Sequence, residues 1–276
     1  MRIGRLSRRG LDYSTDADAT LSAAVRDPRT RLLAVSRDGI AFLSDAARAG
    51  ESLVWLGQTP DERHWVASLG WAGDEDELDW SNLRTILAEG DEDFTAIATQ
   101  ATALARWHDD HGYSPVDGSA VRPVHAGWAL QDAGDRLHFP RTDPAVIVAI
   151  ATQDDERLLL ASNTAWDENR FSLIAGFVDP GESLESAVVR ESLEEVGLEL
   201  SRVRYVSSQP WPFPRSLMVG FAATATNPGD VHVDGVEIRD ARWFTRAQLR
   251  SGAVQLPGSE SIARKLIERW LAADTR

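Results

Sequence analysis

The segment from Gly176 to Gly197 constrains this chain more than any other, because it crowds glutamates onto neighbouring turns of one predicted helix. An apolar strand pattern ends at Gly176 and a Pro-Gly turn follows. Residues 183–196 then have a helical pattern that Gly197 closes as a left-handed cap. Glu191 and Glu195 are four residues apart and share a face of this helix. Like charges at that spacing cost an isolated helix roughly a few tenths of a kcal/mol per pair, so the pattern needs an explanation.

Two interpretations of the acidic helix are open: a solvated charged face, or a platform for divalent cations. Gly176 permits a close approach of the backbone. Arg190 stands four residues before Glu194, so one glutamate can be neutralised while the others stay free. Free carboxylates suit Mg²⁺, which takes oxygen ligands and usually bridges to substrate phosphates. The platform is the favoured interpretation, and it predicts a metal that holds a diphosphate.

The spacing of this segment matches a long motif. The match to G-x5-E-x7-R-E-U-x-E-E-x-G-U, in which U is apolar, comprises Gly176, Glu182, Arg190, Glu191, Glu194, Glu195, Gly197 and Leu198. This is the Nudix box, so the chain resembles the Nudix hydrolases, which hydrolyse a nucleoside diphosphate linked to another group. The first apolar position is occupied by Ser192, for which we expect a hydrogen bond to the backbone carbonyl one turn back.

A second motif narrows the resemblance. Residues 208–218 read SQPWPFPRSLM, where three prolines stiffen the chain and Trp211 and Phe213 offer rigid aromatic faces. Taken alone, this segment is equally well a proline-rich connector. Its place after the box, with HFPRTDPAVI at 138–147 and SIAR at 261–264, resembles the NADH pyrophosphatase subfamily, which also removes NAD caps from RNA. The resemblance covers nearly the whole chain.

The resemblance implies the roles of the metal-site residues. The expected metal ligands are the Ala175 carbonyl, Glu191, Glu194, Glu195 and Glu237, holding two or three Mg²⁺ or Mn²⁺ ions. Glu194 is alternatively a structural partner of Arg190. Glu191, Glu195 and Glu237 are the expected catalytic residues, and Glu195 or Glu237 takes a proton from water. Arg190 and Glu182 are expected to be structural, and Glu237 without the resemblance would read as a surface glutamate.

The resemblance also implies a set of substrate-binding residues around the diphosphate. They are Arg84, Phe139, Phe177, Gln209, Pro210, Trp211, Pro212, Phe213, Pro214, Arg215, Ser216 and Ala263. The expected reaction cleaves NAD⁺ or NADH to AMP and nicotinamide mononucleotide, with NAD-capped RNA as a further substrate. The alternatives are a broader Nudix diphosphatase for ADP-ribose or other dinucleotides, and a non-catalytic nucleotide sensor. The sensor is disfavoured because the box retains its glutamates.

Hydrophobic periodicity indicates an α+β architecture. In the first half, strand-like runs at 31–36, 39–44, 51–57 and 64–71 indicate a small antiparallel sheet, and helical patterns follow at about 80–87 and 93–111. Residues 1–30 are expected to be polar and turn-rich, and 112–140 to be a loop-rich connector. In the second half, strand runs at 145–150, 157–162, 171–176, 202–209, 217–225 and 241–245 alternate with helices at 183–196 and 259–273, which indicates a mixed sheet with helices packed on it.

The resemblance turns these patterns into a three-part division. We expect a smaller β-rich N-terminal domain at 1–106, a degenerate, metal-free zinc-ribbon-like connector at 107–140, and a Nudix fold at 141–276 in which helices sandwich a mixed sheet. The subfamily commonly carries two CxxC pairs in the connector, but this chain has no cysteine.

Other side chains stand where the connector thiolates would be. Ser114 and Asp117 occupy the first pair, and the second pair falls near Gln131 and Gly134 or one residue later, which is an improbable tetrahedral zinc site. We expect packing to replace the metal and the histidines to be solvated or hydrogen-bonded. The packing residues would be Trp107, Tyr113 and Trp128, and the histidines His108, His111 and His125.

Composition limits the remaining classes. The chain has 29 basic and 43 acidic residues, a net charge of −14 that disfavours broad contact with nucleic-acid backbones. No apolar run approaches the roughly 18–20 residues of a membrane span, and no apolar segment follows the basic N-terminus. Together with the missing cysteines, this predicts a cytoplasmic protein. The resemblance adds an expected homodimer.

Overall fold

The computed structural model of the protein describes residues 6–7, 17–37, 39–44, 52–70 and 78–273. By its internal contacts the chain falls into two units. The first is Met1–Arg141 with Pro212–Arg215, and the second is Thr142–Trp211 with Ser216–Arg276. The expected strand positions Glu51 and Trp71, and most of the first sixteen residues, lie outside the described ranges. Within those ranges, no helix has the length and apolar character needed to cross a membrane.

The first unit contains a mixed sheet rather than the predicted antiparallel one. Its strands are β1 (Arg31–Val35), β2 (Ile40–Leu43), β3 (Ser52–Gln58) and β4 (His64–Leu69), in the order β2-β1-β4-β3. β1–β2 and β3–β4 are antiparallel hairpins, but β1 and β4 pair in parallel. The local patterns correctly predict each hairpin. The local patterns carry no information on how the two hairpins pair with each other, because that pairing depends on burial on both faces of the sheet.

Helices cover both faces of this sheet. They are α1 (Ala17–Arg26), α2 (Leu83–Glu89) and α3 (Glu92–Asp110). Leu33 and Val35 lie in one core with residues of α2 and α3, while Leu32 and Ala34 lie in a second core with residues of α1. The sequence prediction missed α1, since its buried positions are the small side chains Ala17 and Ala24, which give little hydrophobic periodicity.

Residues 112–140 are more ordered than the predicted loop-rich connector. Three short strands, β5 (Arg122–Val124), β6 (Ala129–Gln131) and β7 (Leu137–His138), form an antiparallel sheet. Polar side chains tie this sheet together through Asp132, whose side chain is fully buried.

The carboxylate of Asp132 is the centre of a hydrogen-bond network. It accepts from Ser114 Oγ at 2.8 Å, Arg136 Nε at 2.9 Å and the backbone amides of Gly134 and Arg136, and it lies 3.2 Å from His138 Nε2. Arg136 also pairs with Asp117. Burial raises the pKa of Asp132, but these hydrogen bonds outweigh it and hold the pKa well below the ordinary value. Asp132 stands at the later of the two positions that the sequence analysis allowed for the second pair. Its hydrogen bond with Ser114 therefore joins a residue of the first pair of positions to a residue of the second.

The packing prediction for the connector is partly wrong. Trp107 is buried, and Trp128 Nε1 donates to the Trp55 carbonyl at 2.8 Å, but Tyr113 is 71% exposed and contributes little packing. His108 and His111 hydrogen-bond the backbone carbonyls of Gly127 and Trp107, at 2.8 and 2.7 Å, in line with the prediction of hydrogen-bonded histidines. The polar network around Asp132 also holds the connector together. A buried carboxylate with several hydrogen-bond donors is stable without a metal.

The second unit confirms the α+β prediction with a sheet between helices. Its strands are β8 (Asp143–Ala151), β9 (Arg157–Asn163), β10 (Ile174–Phe177), β11 (Leu200–Trp211), β12 (Ser216–Ala225) and β13 (Ile238–Thr245). Their order is β11-β12-β8-β9-β13, with β10 also paired to β8. β12 and β8 are parallel while the other pairs are antiparallel, so the sheet is mixed as predicted. The helices are α4 (Leu184–Val196), α5 (Arg246–Arg250) and α6 (Ile262–Ala272).

The period of two along β8 separates the two cores of this unit. Val146, Val148 and Ile150 lie in the core that contains residues of α4. Ile147, Ala149 and Ala151 lie in the core that contains Ile262, Leu266, Ile267 and Trp270 of α6. The predicted strand run at 145–150 is therefore buried on both faces, and it packs against α4 on one side of the sheet.

The Asp132 network generates a stability prediction. Asp132→Asn removes an acceptor from several donors, so we expect the unfolding midpoint of the first unit to fall by about 5 °C. Asp135→Asn is the matched control, because Asp135 lies on the same turn at φ 60, which asparagine tolerates. Differential scanning calorimetry of both variants decides the matter, and equal midpoints for the two would contradict a stabilising network.

Candidate active site

Helix α4 begins and ends where the sequence predicts. The Ser183 side chain accepts from the Ser186 amide at 3.1 Å, and Gly197 has φ 69, the left-handed cap conformation. Ser192 is fully buried, and its Oγ donates to the Val188 carbonyl at 2.8 Å. The expected one-turn hydrogen bond is therefore confirmed, and the serine at an apolar motif position leaves no unpaired group in the core.

Arg190 donates hydrogen bonds to three carboxylates, not only to the one expected from its spacing. Its Nε and Nη2 each donate at 2.9 Å to the two carboxylate oxygens of Glu182. Its Nη1 donates to Glu191 at 2.9 Å and to Glu194 at 3.1 Å, and Nη2 also reaches the Phe177 carbonyl at 2.9 Å. The hydrogen bond from Arg190 lowers the pKa of Glu182, and the Glu182 carboxylate raises the pKa of Arg190. The expectation that Glu191 stays free of Arg190 is thus wrong.

Glu195 has no such partner. Its residue is only 6% exposed, and its Oε2 is buried without a hydrogen-bond partner among the described residues. Burial raises the pKa of Glu195 to about 8, and the nearby charges of Glu191 and Glu237 act in the same direction. An unpaired buried carboxylate among other acids is unfavourable by itself, so it marks a functional group.

Gly176 leaves room for the Glu191 carboxylate. A Cβ atom at Gly176 would lie 2.0 Å from Glu191 Oε1, so only glycine leaves the Glu191 carboxylate in its present position. Burial raises the pKa of Glu191, although its hydrogen bond with Arg190 opposes that shift. The glycine of the motif thus has a direct physical purpose, because it makes space for a carboxylate.

A further acid, Glu237, comes from the segment before β13. Glu237 is exposed, and its charge acts on both Glu191 and Glu195. Ala175 lies on β10 beside Gly176 and is exposed, while Glu194 is exposed on α4 with 61% of its side chain accessible. Glu194 and Glu237 therefore both act by their charge on Glu191 and Glu195, the two acids whose pKa is raised by burial.

These side chains fit a divalent cation. The donors are hard carboxylate oxygens, the Oε2 of Glu195 is buried without a hydrogen-bond partner among the described residues, and Gly176 leaves room for the Glu191 carboxylate. Among the described residues, no three His, Asp or Glu side chains already stand in the arrangement of a metal site. Glu191 is held by Arg190, so binding a cation requires a rearrangement of that carboxylate.

Several predicted substrate residues of the second unit have structural partners. Gln209 donates from Nε2 to the Glu260 carbonyl at 2.8 Å and accepts at Oε1 from the Ile262 amide at 2.6 Å, so it fixes the start of α6. Ser216 and Ala263 are buried, and Pro210 is exposed on β11. Phe177 is 57% exposed and is the most accessible aromatic side chain among these candidates.

Trp211 is half-buried at the end of β11 in the second unit, and the remaining substrate candidates belong to the first unit. The Phe213 ring has the guanidinium carbons of Arg84 and Arg106 at 4.3 and 5.0 Å from its centroid, and Arg106 also donates to the Pro212 carbonyl at 2.5 Å. Arg215 lies 3.7 Å from Asp110. Pro214 is exposed, and Phe139 is half exposed. Sequence analysis missed Arg106, because its partners lie about a hundred residues away and no local signal marks it.

Comparison with known proteins agrees with this geometry. The profile described as NUDIX domain matches residues 141–270. The chain is 38% identical to the NAD-capped RNA hydrolase NudC of Mycobacterium bovis, over 98% of this chain and 95% of that protein. It is 35% identical to the NAD-capped RNA hydrolase NudC of Pseudomonas putida, over 92% and 95%. The chain belongs to the Nudix hydrolase superfamily. The Nudix box is therefore the segment from Gly176 to Leu198, and the resemblance to the subfamily of these relatives is confirmed over nearly the full length.

The raised pKa of Glu195 predicts how stability depends on pH without metal. Between the ordinary value of 4.5 and about 8, the folded Nudix unit binds a proton at Glu195 that the unfolded chain releases. Stability from this group is therefore greatest below pH 4.5 and is lost as pH rises towards 8. In EDTA, we expect the unfolding midpoint of wild type relative to Glu195→Gln to fall by about 5 °C between pH 5 and 8.5. Scanning fluorimetry at several pH values measures it, and parallel curves would refute the assignment.

Gly176→Ala separates metal binding from folding. The new methyl group meets the end of the flexible Glu191 side chain, so the backbone need not move but the carboxylate must. We expect Mn²⁺ affinity to fall at least about tenfold, with an unchanged unfolding midpoint in EDTA. Gly229→Ala is the control, since a Cβ there has no heavy atom within 4 Å. Isothermal titration with Mn²⁺ gives the affinity, and unchanged binding would show that this packing is irrelevant to the site.

Proposed function

We propose that this Nudix hydrolase is a metal-dependent NAD(H) diphosphatase, which hydrolyses NAD⁺ or NADH to AMP and nicotinamide mononucleotide and also removes NAD caps from RNA. The observation that carries the proposal is the buried, unpaired Oε2 of Glu195 among the charges of Glu191 and Glu237. Such a group is stabilised by cations, and cations between carboxylates bind the phosphates of a substrate. The names of the two curated relatives, both NAD-capped RNA hydrolases, supply the substrate class.

The proposed metal ligands are Glu191, Glu195 and Glu237 with the Ala175 carbonyl, and Glu194 remains an outer ligand or partner of Arg190. When bound, Mg²⁺ or Mn²⁺ ions neutralise the diphosphate and lower the pKa of attacking water. Arg190 and Glu182 keep the helix and the preceding turn in place, since their two hydrogen bonds measure 2.9 Å. Glu191 is reached by the same guanidinium and needs only a side-chain change to join the ligand set.

A carboxylate of the same cluster is the proposed proton acceptor. Glu195 is buried within the cluster, and a cation bound beside it would keep its carboxylate ionised and able to accept a proton. Glu237 is exposed and can meet a water molecule from the solvent side. Glu195 and Glu237 therefore both stay candidates for the base, and in either case the proton stays within the acidic cluster.

Substrate recognition is proposed to use the exposed aromatic rings and the proline-rich segment. Phe177 directly follows Gly176 and is 57% exposed, so it offers a face for the base or nicotinamide ring. Phe139, Trp211 and the neighbouring prolines remain substrate candidates by the subfamily resemblance. Gln209 and Phe213 also have structural contacts, so their substitution will affect the local fold as well as binding. We further propose a cytoplasmic homodimer.

Product analysis tests the proposal directly. The protein is incubated with Mg²⁺ or Mn²⁺ and, separately, with NADH, NAD⁺, ADP-ribose, diadenosine diphosphate and NAD-capped RNA. We expect NADH or NAD⁺ to yield AMP and a nicotinamide mononucleotide, and Glu195→Gln to reduce the rate by about 10²–10⁴-fold with the fold intact. Chromatography with mass spectrometry identifies the products.

The same assay distinguishes the alternatives. A kcat/KM for ADP-ribose or diadenosine diphosphate that exceeds the value for NADH tenfold would favour the broader dinucleotide diphosphatase. Binding of a nucleotide without turnover in either metal would favour a sensor. Full activity of Glu195→Gln would reject the proposed role of the acidic cluster.

A further inference from the structure

The segment that carries Glu237 is exposed, yet the backbone N–H and C=O groups of Val236 and Glu237 all have hydrogen-bond partners. Residues 233–237 have no helix or strand, and Val236 is 76% exposed. Loops of this kind are usually the most mobile part of a structure. A carboxylate that joins a metal site from such a loop needs a fixed backbone, because side-chain position follows backbone position.

The Asp234 carboxylate holds this segment by accepting hydrogen bonds from its backbone amides. Its Oδ1 accepts from the amides of Val236 at 3.2 Å and Ile238 at 2.9 Å, and its Oδ2 accepts from the amide of Glu237 at 3.1 Å. These amides lower the pKa of Asp234, with that of Glu237 the largest contribution. The side chain is therefore a charged acceptor for three successive backbone donors.

Thr164 binds the same segment from the carbonyl side. Its amide donates to the Glu237 carbonyl at 2.9 Å, and its Oγ1 donates to the Val236 carbonyl at 3.0 Å. Both backbone groups of Val236 and of Glu237 are thus paired. Thr164 follows β9 directly, so the segment is tied to the sheet of its own unit.

A third contact connects this segment to the buried acid. The Asp234 amide donates to the carbonyl of Glu195 at 3.2 Å. Asp234 therefore bonds the backbone of Glu195 through its own amide and the backbone of Glu237 through its carboxylate. One residue joins the two parts of the chain that bring Glu195 and Glu237 together.

We propose that Asp234 and Thr164 are positioning residues that hold Glu237 at the metal site by fixing both sides of its backbone. The proposal rests on the proposed function for the role of Glu237 as a ligand. Neither side chain is expected to bind the cation, because the carboxylate of Asp234 and the hydroxyl of Thr164 are engaged with the loop. Partners of this kind typically contribute 10–100-fold to metal affinity.

The first test is amide hydrogen exchange in the metal-free protein. In Asp234→Asn the new amide group cannot accept from all three donors, so we expect the peptide that covers 236–238 to exchange about five- to tenfold faster. Thr164→Val keeps the shape and the charge but loses the Oγ1 donor, and it should accelerate exchange of the same peptide to a smaller degree. Asp230→Asn is the control, since it removes the same charge from the same loop and no side-chain hydrogen bond of Asp230 is recorded among the described residues. Wild-type exchange rates in Asp234→Asn and Thr164→Val would overturn the proposal.

The second test is a double-mutant cycle on Mn²⁺ affinity, measured by electron paramagnetic resonance without substrate. We expect Mn²⁺ binding to be about 10–100-fold weaker in Asp234→Asn. Binding should also be weaker in Thr164→Val, which changes no charge, and unchanged in Asp230→Asn. In a Glu237→Gln background, Asp234→Asn should have a much smaller effect, because the group being positioned is gone and only the charge of Asp234 near Glu195 is still removed. An equal loss in both backgrounds, or a silent Thr164→Val, would mean that Asp234 acts through its charge alone and would overturn the positioning role.

These measurements are separable from the proposed function. Absence of NADH hydrolysis in the wild type would reject the substrate assignment, while the Mn²⁺ cycle would still decide the role of Asp234 and Thr164. Unchanged Mn²⁺ affinity in Glu237→Gln would reject Glu237 as a ligand, and with it the positioning proposal.

Discussion

The guanidinium of Arg190 is the interaction on which the acidic helix depends. Glu182, Glu191 and Glu194 would repel one another across the turn and the first helical face, and Arg190 offers each of them a donor within 3.1 Å. Arginine suits this position because its planar fork can serve several acceptors at fixed angles, which an ammonium group cannot do. Its further bond to the Phe177 carbonyl fixes the end of β10 beside the helix. The strand, the turn and the helix of the Nudix box therefore share one centre.

One arginine cannot neutralise every acid of the cluster, and the acid that it leaves unpaired is Glu195. The Glu182 carboxylate receives both Arg190 and the Asp179 amide, whereas the buried Oε2 of Glu195 receives nothing among the described residues. The Nudix box thus contains both hydrogen-bonded acids and an acid with an unpaired oxygen. Within the box, Oε2 of Glu195 is the buried side-chain atom that lacks a hydrogen-bond partner among the described residues, and functional sites are where such exceptions are expected.

The sequence is most informative where structure follows from nearby residues. Ser183 and Gly197 mark the ends of α4 correctly, because capping depends on a few neighbouring positions. Spacing alone could not reveal that Arg190 reaches Glu182 and Phe177, since that contact requires the turn to fold back. The parallel pairing of β1 with β4 was equally inaccessible, because it joins two hairpins that are each locally complete. Helix α1 escaped prediction since alanine contributes little to hydrophobic periodicity.

The Asp132 network has a consequence for how the first unit is made and maintained. Ser114, Arg136 and His138 surround a carboxylate with ordinary hydrogen bonds, and the chain contains no thiol. A zinc ribbon with cysteine ligands is therefore absent from this segment. Because peroxide and hypochlorous acid eject zinc by oxidising thiolate ligands, that route of damage does not operate on this part of the enzyme.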